Sequence, residues 1–131
     1  MRVLIKVMLG DIVDTVEVVK ELLNKETDAQ TAYILNSIIE IAVNANNQYH
    51  EIKREKAIAT GAVVIGNELR LPSFNGEPQY DVEKFNKFKE EMRVLRQSIV
   101  EFPIEPLSLS QLSDSKYTPA QMRFLRYFIK N

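Results

Sequence analysis

Two long segments with apolar residues spaced three and four apart dominate this sequence. The apolar steps in residues 82–102 are 3, 4, 3, 4 and 3, and residues 28–59 keep the same alternation with one break at Lys56. This spacing is typical of amphipathic helices that pack along their length. The apolar positions are Phe85, Phe88, Met92, Leu95, Ile99 and Phe102 in the shorter segment, and Leu35, Ile38, Ala42, Ala45, Tyr49, Ile52 and Ala59 in the longer one. We therefore predict an antiparallel pair of long helices.

Capping signals predict where the helices begin and end. Asp11 is an N-cap candidate for a first helix that ends near residue 24. Thr27 begins a capping box before the long helix, and Asp81 precedes the third helix. Pro103 is expected to end that third helix. Thr118, followed by proline and then by glutamine at the third helical position, predicts the start of a last helix.

Three segments between the helices have strand character. Residues 2–8 alternate in a way that predicts a β-strand, with Leu4 and Met8 on one face. Residues 62–65 and 68–71 are joined by Gly66-Asn67, which predicts a tight β-hairpin. Two prolines make residues 104–107 extended, as an edge strand or a strapped segment beside the first strand.

Composition limits the fold class and the chemistry. The chain has 131 residues, 45% of them hydrophobic, with no cysteine and one histidine. Disulfides, thiolate metal sites and three-histidine sites within one chain are therefore excluded. No apolar run reaches the ~20 residues of a membrane span, and we predict a cytoplasmic protein. With no repeat or linker, we predict a single domain over residues 1–131 that is mainly α with a minor β component (α+β).

Isolated motif fragments do not build a catalytic site. His50 has no second ligand on its helix face, and Glu51 and Glu55 are surrounded by basic residues. The segment from Gly61 to Gly66 lacks the glycine spacing and the Lys-Ser/Thr end of a phosphate-binding loop. We predict no catalytic residue, no metal and no cofactor, and therefore a protein that is not an enzyme.

Basic residues and the long helical seam supply the partner-binding candidates. The net charge is −1, but residues 53–131 carry an excess of basic side chains. Two basic stripes can bind phosphates or an acidic protein surface, or can be ordinary solvated charge. The long seam exceeds what the third helix can cover, so it needs internal cover, a second copy of the chain or another partner. The candidates are Arg93, Arg96, Arg123, Arg126 and Lys130 in the stripes, and Asn46 and Tyr49 on the seam.

The order of these motifs resembles a known group of proteins. The segments that carry the likeness are Thr-Asp-Ala-Gln-Thr-Ala-Tyr at 27–33, Phe-Pro-Ile-Glu-Pro-Leu-Ser-Leu at 102–109, and the capped last helix. The chain resembles small, uncharacterised helical proteins found in tailed-phage genomes. The resemblance implies a viral origin and a role in the infected cytoplasm or in the virus particle.

Three functions follow from these expectations. The first is a non-enzymatic module that binds a host or viral protein through helical faces, as a host-takeover or anti-defence factor. The second is a structural or assembly component of the virion, such as a chaperone of head or tail building. The third is a nucleic-acid-associated accessory protein that uses the basic C-terminal helix. Binding to a membrane is not expected.

Overall fold

The computed structural model describes residues 2–66, 68–113 and 116–130 of the chain. The strands are β1 Val3–Met8, β2 Val63–Ile65, β3 Glu68–Arg70, β4 Ser73–Phe74, β5 Glu77–Pro78 and β6 Ile99–Ile104. The helices are α1 Leu9–Glu21, α2 Ala29–Ala59, α3 Val82–Leu95, α4 Leu109–Leu112 and α5 Pro119–Leu125, with 3₁₀ turns at Leu22–Asn24 and Arg126–Phe128. The strands form antiparallel pairs, so the predicted mainly α fold with a minor β component (α+β) is confirmed.

Helix α2 has 31 residues and confirms the predicted long helix, although its N-cap differs by one residue. The carboxylate of Asp28 accepts hydrogen bonds from the Thr31 backbone N–H at 2.9 Å and from the Thr31 hydroxyl at 2.8 Å. These bonds lower the pKa of Asp28, because they favour the charged carboxylate. The predicted capping box at Thr27 is wrong, because a carboxylate has two oxygens and can satisfy both donors at once.

The buried stripe of α2 follows the period of a straight helix rather than a heptad. Its centre line is Thr31, Leu35, Ile38, Ala42, Asn46, Tyr49 and Ala57, with buried Ile34 and Ile39 beside it, and it continues to the helix cap at Thr60. Of the predicted heptad positions, Ala45 and Ile52 are half-buried and Ala59 is exposed. A straight helix drifts by about 20° per heptad relative to a period of 3.5, so the last heptad positions rotate out of the core.

The predicted continuation of the third helix to Phe102 is wrong. Helix α3 begins after its N-cap Asp81, as predicted, but ends at Leu95, and the chain then turns into β6. Phe102 is fully buried, whereas Ile99 is 53% exposed. Residues of one helical seam would be buried together, so this difference follows the alternation of a strand. Pro103 lies within the strand and does not end a helix.

Strand β6 pairs antiparallel with β1 and forms a two-stranded ribbon. The ladder begins with Val3 opposite Ile104 and ends with Met8 opposite Ile99. It continues into the start of α1, where the Leu9 backbone N–H donates to the Ser98 carbonyl at 2.8 Å. Helix α1 therefore begins at Leu9, and the expectation that Asp11 caps it is wrong because the strand runs directly into the helix.

The hydrophobic core has two parts, which lie along the two halves of α2. The first packs α1, the inner face of the ribbon and α5 against the N-terminal half, and includes Val7, Ile12, Val19, Ile34, Ile38, Phe102, Phe124 and Phe128. The second packs α3 and the β2–β3 hairpin against the C-terminal half, and includes Tyr49, Ala57, Ala62, Phe85, Phe88 and Met92. Other elements of the same chain therefore cover much of the long seam.

Helices α2 and α3 run antiparallel, as predicted, but only along the C-terminal half of α2. The Asp81 backbone N–H, at the start of α3, donates to the Thr60 carbonyl at the end of α2, over 2.8 Å. Farther along α3, Glu91 forms an ion pair with Lys56 at 3.0 Å. Contacts farther along α3 are therefore made with residues nearer the start of α2, so the two helices run antiparallel.

Two tight hairpins connect α2 to α3. The predicted β2–β3 hairpin is confirmed, and Gly66 has a φ of 62°, which glycine adopts without steric cost. Asn67, the second residue of the predicted turn, lies outside the described residues. A second turn, at Asn75-Gly76, joins β4 to β5, with φ values of 51° and 79° at these two residues. Strands β4 and β5 were not predicted from the sequence.

The C-terminal segment is fixed by capping boxes and by one β-bridge. Thr118 caps α5 together with Gln121, as predicted. Leu107 bridges Ile129 in parallel, and the Leu107 N–H donates to the Phe128 carbonyl at 2.7 Å. Within the described parts of the chain, no helix is both long enough and apolar enough to cross a bilayer.

Candidate functional site

An open apolar groove of about 650 Å³ lies between the C-terminal half of α2 and helix α3. The apolar side chains that line it are Ile52, Met92, Val94 and Leu95. Val94 is 51% exposed, while Ile52 and Leu95 are half-buried. The groove exists because α3 ends at Leu95 and the chain turns away, so no further helical turn covers these side chains. We call this surface the α2–α3 groove.

Charged side chains of both signs border the α2–α3 groove. The Lys56–Glu91 ion pair joins the two helices at 3.0 Å, and Lys87 and Glu90 stand on the same border. Glu90 accepts two hydrogen bonds from the Arg93 guanidinium, at 2.9 and 2.6 Å. This contact lowers the pKa of Glu90 and raises that of Arg93. The groove therefore offers an apolar floor inside a border of balanced charge.

The two predicted partner-binding arginines near α3 have partners within the chain. Arg93 pairs with Glu90 on its own helix. Arg96 donates to the Asp14 carboxylate at 2.7 Å, and this contact raises the pKa of Arg96. It also donates to the Gly10 carbonyl at 3.4 Å, so it connects the end of α3 to α1. Much of the first basic stripe is thus neutralised by neighbouring carboxylates.

The second basic stripe stays exposed at the C-terminal end of the chain. Arg123, Arg126 and Lys130 are all exposed, and none of them forms an ion pair with a described residue. The Arg126 guanidinium lies over the Tyr127 ring, 5.2 Å from its centroid. The Tyr127 hydroxyl donates to the Asp11 carboxylate at 3.2 Å. The stripe is therefore a positive surface with one fixed aromatic ring.

Asn46 and Tyr49 lie inside the molecule, on the buried stripe of α2. Each is 5% exposed. The Tyr49 ring packs edge-on against His50 with centroids 5.2 Å apart. The side-chain oxygen of Asn46 is buried without a hydrogen-bond partner among the described residues. Both predicted seam residues are therefore part of the core in this chain.

His50 lies beside a small depression between α2 and the β2–β3 hairpin. Burial and the nearby charge of Lys53 lower the pKa of His50, because both disfavour the imidazolium. The depression has a volume of about 40 Å³, and Lys53, Arg54, Val64 and Leu69 also line it. Across the described ranges, no three or more His, Asp or Glu side chains are grouped so that they could hold a metal ion.

Sequence reasoning missed a second exposed apolar surface, on the outer face of the β1–β6 ribbon. Leu4, Met8 and Ile99 on this face are 51%, 42% and 53% exposed. Lys6 and Glu101 stand opposite each other between these apolar residues. The alternation of residues 2–8 indicated two faces, but the segment expected beside it was 104–107, whereas its partner is β6, Ile99–Ile104.

Comparison of the chain with protein-family models, curated proteins and solved structures gives no significant match.

Proposed function

We propose that this protein acts by binding another protein rather than by catalysing a reaction, and that the partner places an amphipathic helix in the α2–α3 groove. The observation that carries the proposal is the exposure of Val94, which is 51% exposed beside the half-buried Leu95 and Ile52. Contiguous exposed apolar residues inside a polar border are typical of protein interaction sites. A groove between two helices accepts the apolar face of a third helix.

The dimensions and charges of the groove define the partner segment. Helix α3 has 14 residues and is about 21 Å long at ~1.5 Å per residue, which corresponds to a partner helix of about four turns. The partner's apolar residues would recur at i, i+3, i+4 and i+7. Its flanking residues would carry both charges, because Lys87 and Glu90 both stand on the border.

The resemblance to tailed-phage proteins guides the choice of partner. We propose a host or viral protein as the partner, and a role as a host-takeover or anti-defence factor. An assembly role in head or tail building is the competing proposal. Mass spectrometry of purified particles separates the two, because a stoichiometric amount of the chain in the virion favours assembly.

A pair of matched lysine substitutions tests the groove. Val94→Lys places a charge on the groove floor, while Ile58→Lys places the same charge near the end of α2, outside the groove lining. The two positions are 51% and 54% exposed, and both lie in the last turn of a helix, where a positive charge is favourable. Both variants should therefore keep the stability of the wild-type chain.

The measurement is affinity capture from host lysate with the wild-type chain and both variants, followed by mass spectrometry. The proposal expects one protein that the wild type and Ile58→Lys retain equally and that Val94→Lys retains at least tenfold less. Equal retention by Val94→Lys would show that the groove is not the binding site.

A second candidate function rests on the basic stripe at the C-terminal end. Arg123, Arg126 and Lys130 can contact phosphates, and the Tyr127 ring beside Arg126 can stack on a base. If this surface binds nucleic acid, affinity must fall steeply with added salt, and Arg123→Gln must reduce that slope by about one. No binding at low salt would remove this candidate.

A further inference from the structure

The outer face of the β1–β6 ribbon has an ordered pattern of charge and apolar residues. Its rows across the two strands are Leu4 with Pro103, Lys6 with Glu101, and Met8 with Ile99. All six residues are exposed. Each strand thus presents two apolar residues with one charge between them, and the charge is positive on β1 and negative on β6.

The two central charges of this face are available to a partner. No ion pair involves Lys6 or Glu101 in the part of the chain that the structure describes. A face with one positive and one negative residue side by side, each between apolar residues, is complemented by a second face of the same kind.

We propose that a second copy of this chain packs on the outer face of the ribbon, with a twofold axis parallel to the strands. Such an axis places β1 of one protomer over β6 of its partner. Each cross-strand row then lies opposite the same row of the partner subunit. Lys6 then faces Glu101 of the partner subunit, and Glu101 faces the partner subunit's Lys6. The apolar rows pack on each other between the two sheets, which lie ~10 Å apart with aligned strands.

The alternative face-to-face arrangement is unfavourable. A twofold axis perpendicular to the strands places β1 over β1, so that the Lys6 side chains face each other, as do the Glu101 side chains. Like charges directly opposite each other destabilise such a contact. The charge pattern therefore selects one orientation, and a symmetric contact of this kind closes as a dimer.

The size of the face sets the strength of the dimer. Each strand of the ribbon has six residues and is about 20 Å long, and the ribbon is only two strands wide. This area is below the ~800 Å² per partner of a standard interface, so the dimer should be weak. It does not use Val94, so it is independent of the proposed partner groove.

Charge reversal on one strand at a time tests the orientation directly. Lys6→Glu places two negative residues on the face, and Glu101→Lys places two positive residues there. Each variant alone should be monomeric at a concentration at which the wild type dimerises, with a Kd at least tenfold weaker. Lys84→Glu, an exposed substitution on α3 with the same change in net charge as Lys6→Glu, is the matched control and should dimerise as the wild type does.

Mixing the two variants is the decisive experiment. In a mixed dimer the new carboxylate of the Lys6→Glu chain faces the new ammonium group of the Glu101→Lys chain. The unaltered Glu101 of the first chain faces the unaltered Lys6 of the second, so both contacts become attractive. The like charges within each chain remain, so recovery of dimer by the mixture must come from contacts between chains. Analytical ultracentrifugation measures the masses, and circular dichroism confirms that both variants fold.

The proposed dimer predicts about 15 kDa for each separate variant and about 30 kDa for the mixture and for the wild type, since the chain has a mass of 15.1 kDa. A wild-type chain that stays at the monomer mass at about 1 mM overturns the proposal. So does a wild-type dimer that both single variants retain, or a mixture of folded variants that stays monomeric.

Discussion

Truncation of Phe102 and of Ile99 should have very different effects on stability, because the two residues point to opposite sides of β6. The Phe102 side chain is fully buried, whereas that of Ile99 is 53% exposed. If residues 96–102 continued α3, both would lie on one helical seam and would contribute similarly. Phe102→Ala and Ile99→Ala therefore distinguish a strand from a helix in this segment.

The structure sets the size of each effect. Phe102 packs edge-on against Phe128, with ring centroids 4.9 Å apart and an interplanar angle of 70°. Loss of a fully buried phenylalanine costs about 3–5 kcal/mol in the free energy of unfolding. Ile99 has less than half of its surface removed from water, so Ile99→Ala should cost about 1 kcal/mol or less. The expected difference is about 3 kcal/mol.

Urea unfolding followed by helical circular dichroism measures this difference. With a slope of about 2 kcal/mol per molar urea, Phe102→Ala should lower the midpoint by about 2 M and Ile99→Ala by about 0.5 M or less. The protein is kept at a few micromolar, so that self-association at the ribbon does not contribute. Equal midpoint shifts for the two variants would refute the strand assignment and the buried position of Phe102.

Two further predictions concern backbone conformation and helix capping. Gly61→Ala should destabilise the chain more than Gly76→Ala. Both glycines have positive φ, but only at Gly61 would an added Cβ lie 3.1 Å from the Tyr80 Cα. Thermal unfolding of both variants measures the difference in stability. Asp28→Ala should lower the urea midpoint while Thr27→Ala leaves it unchanged. Because folding lowers the pKa of Asp28, its contribution is present above pH 3.8 and lost as the pH falls through the folded pKa; an Asp28→Ala effect that did not shrink on acidification would contradict this account.

Local patterns predicted the elements whose determinants lie close together in the chain. Thr118 and Gln121 cap α5 as expected, because both halves of the capping box lie within four residues. Asp81 begins α3 for the same reason, with its carboxylate accepting the Lys84 N–H at 3.0 Å. These structures depend on hydrogen bonds that neighbouring residues make by themselves, so a short window of sequence contains the information.

The end of α3 was not predictable from such a window. Ile99 and Phe102 have helical spacing, while Phe102 and Ile104 have strand spacing, so residues 96–104 satisfy both patterns. The choice depends on β1, which supplies hydrogen bonds and an apolar face from the other end of the sequence. Tertiary pairing therefore overrides the local pattern here.

The contacts around the candidate site also divide into local ones, which the sequence predicts, and long-range ones, which it does not. Arg93 and Glu90 are three residues apart on one helix, so their contact can be predicted from the sequence. The contact between Arg96 and Asp14 joins residues 82 positions apart and cannot. The α2–α3 groove likewise depends on where α3 ends, so the error in that boundary concealed it.

The pairing of β1 with β6 also imposes an order of events on a ribosome. Met8 is synthesised 91 residues before its ladder partner Ile99. At about 5–20 residues per second, the first strand waits about 5–20 seconds for the second. During that time α1 and α2 can already fold against each other, because their contacts are local. Closure of the ribbon is then a late step of biogenesis, and until it occurs the nascent chain carries an open strand edge that a neighbouring polypeptide can occupy.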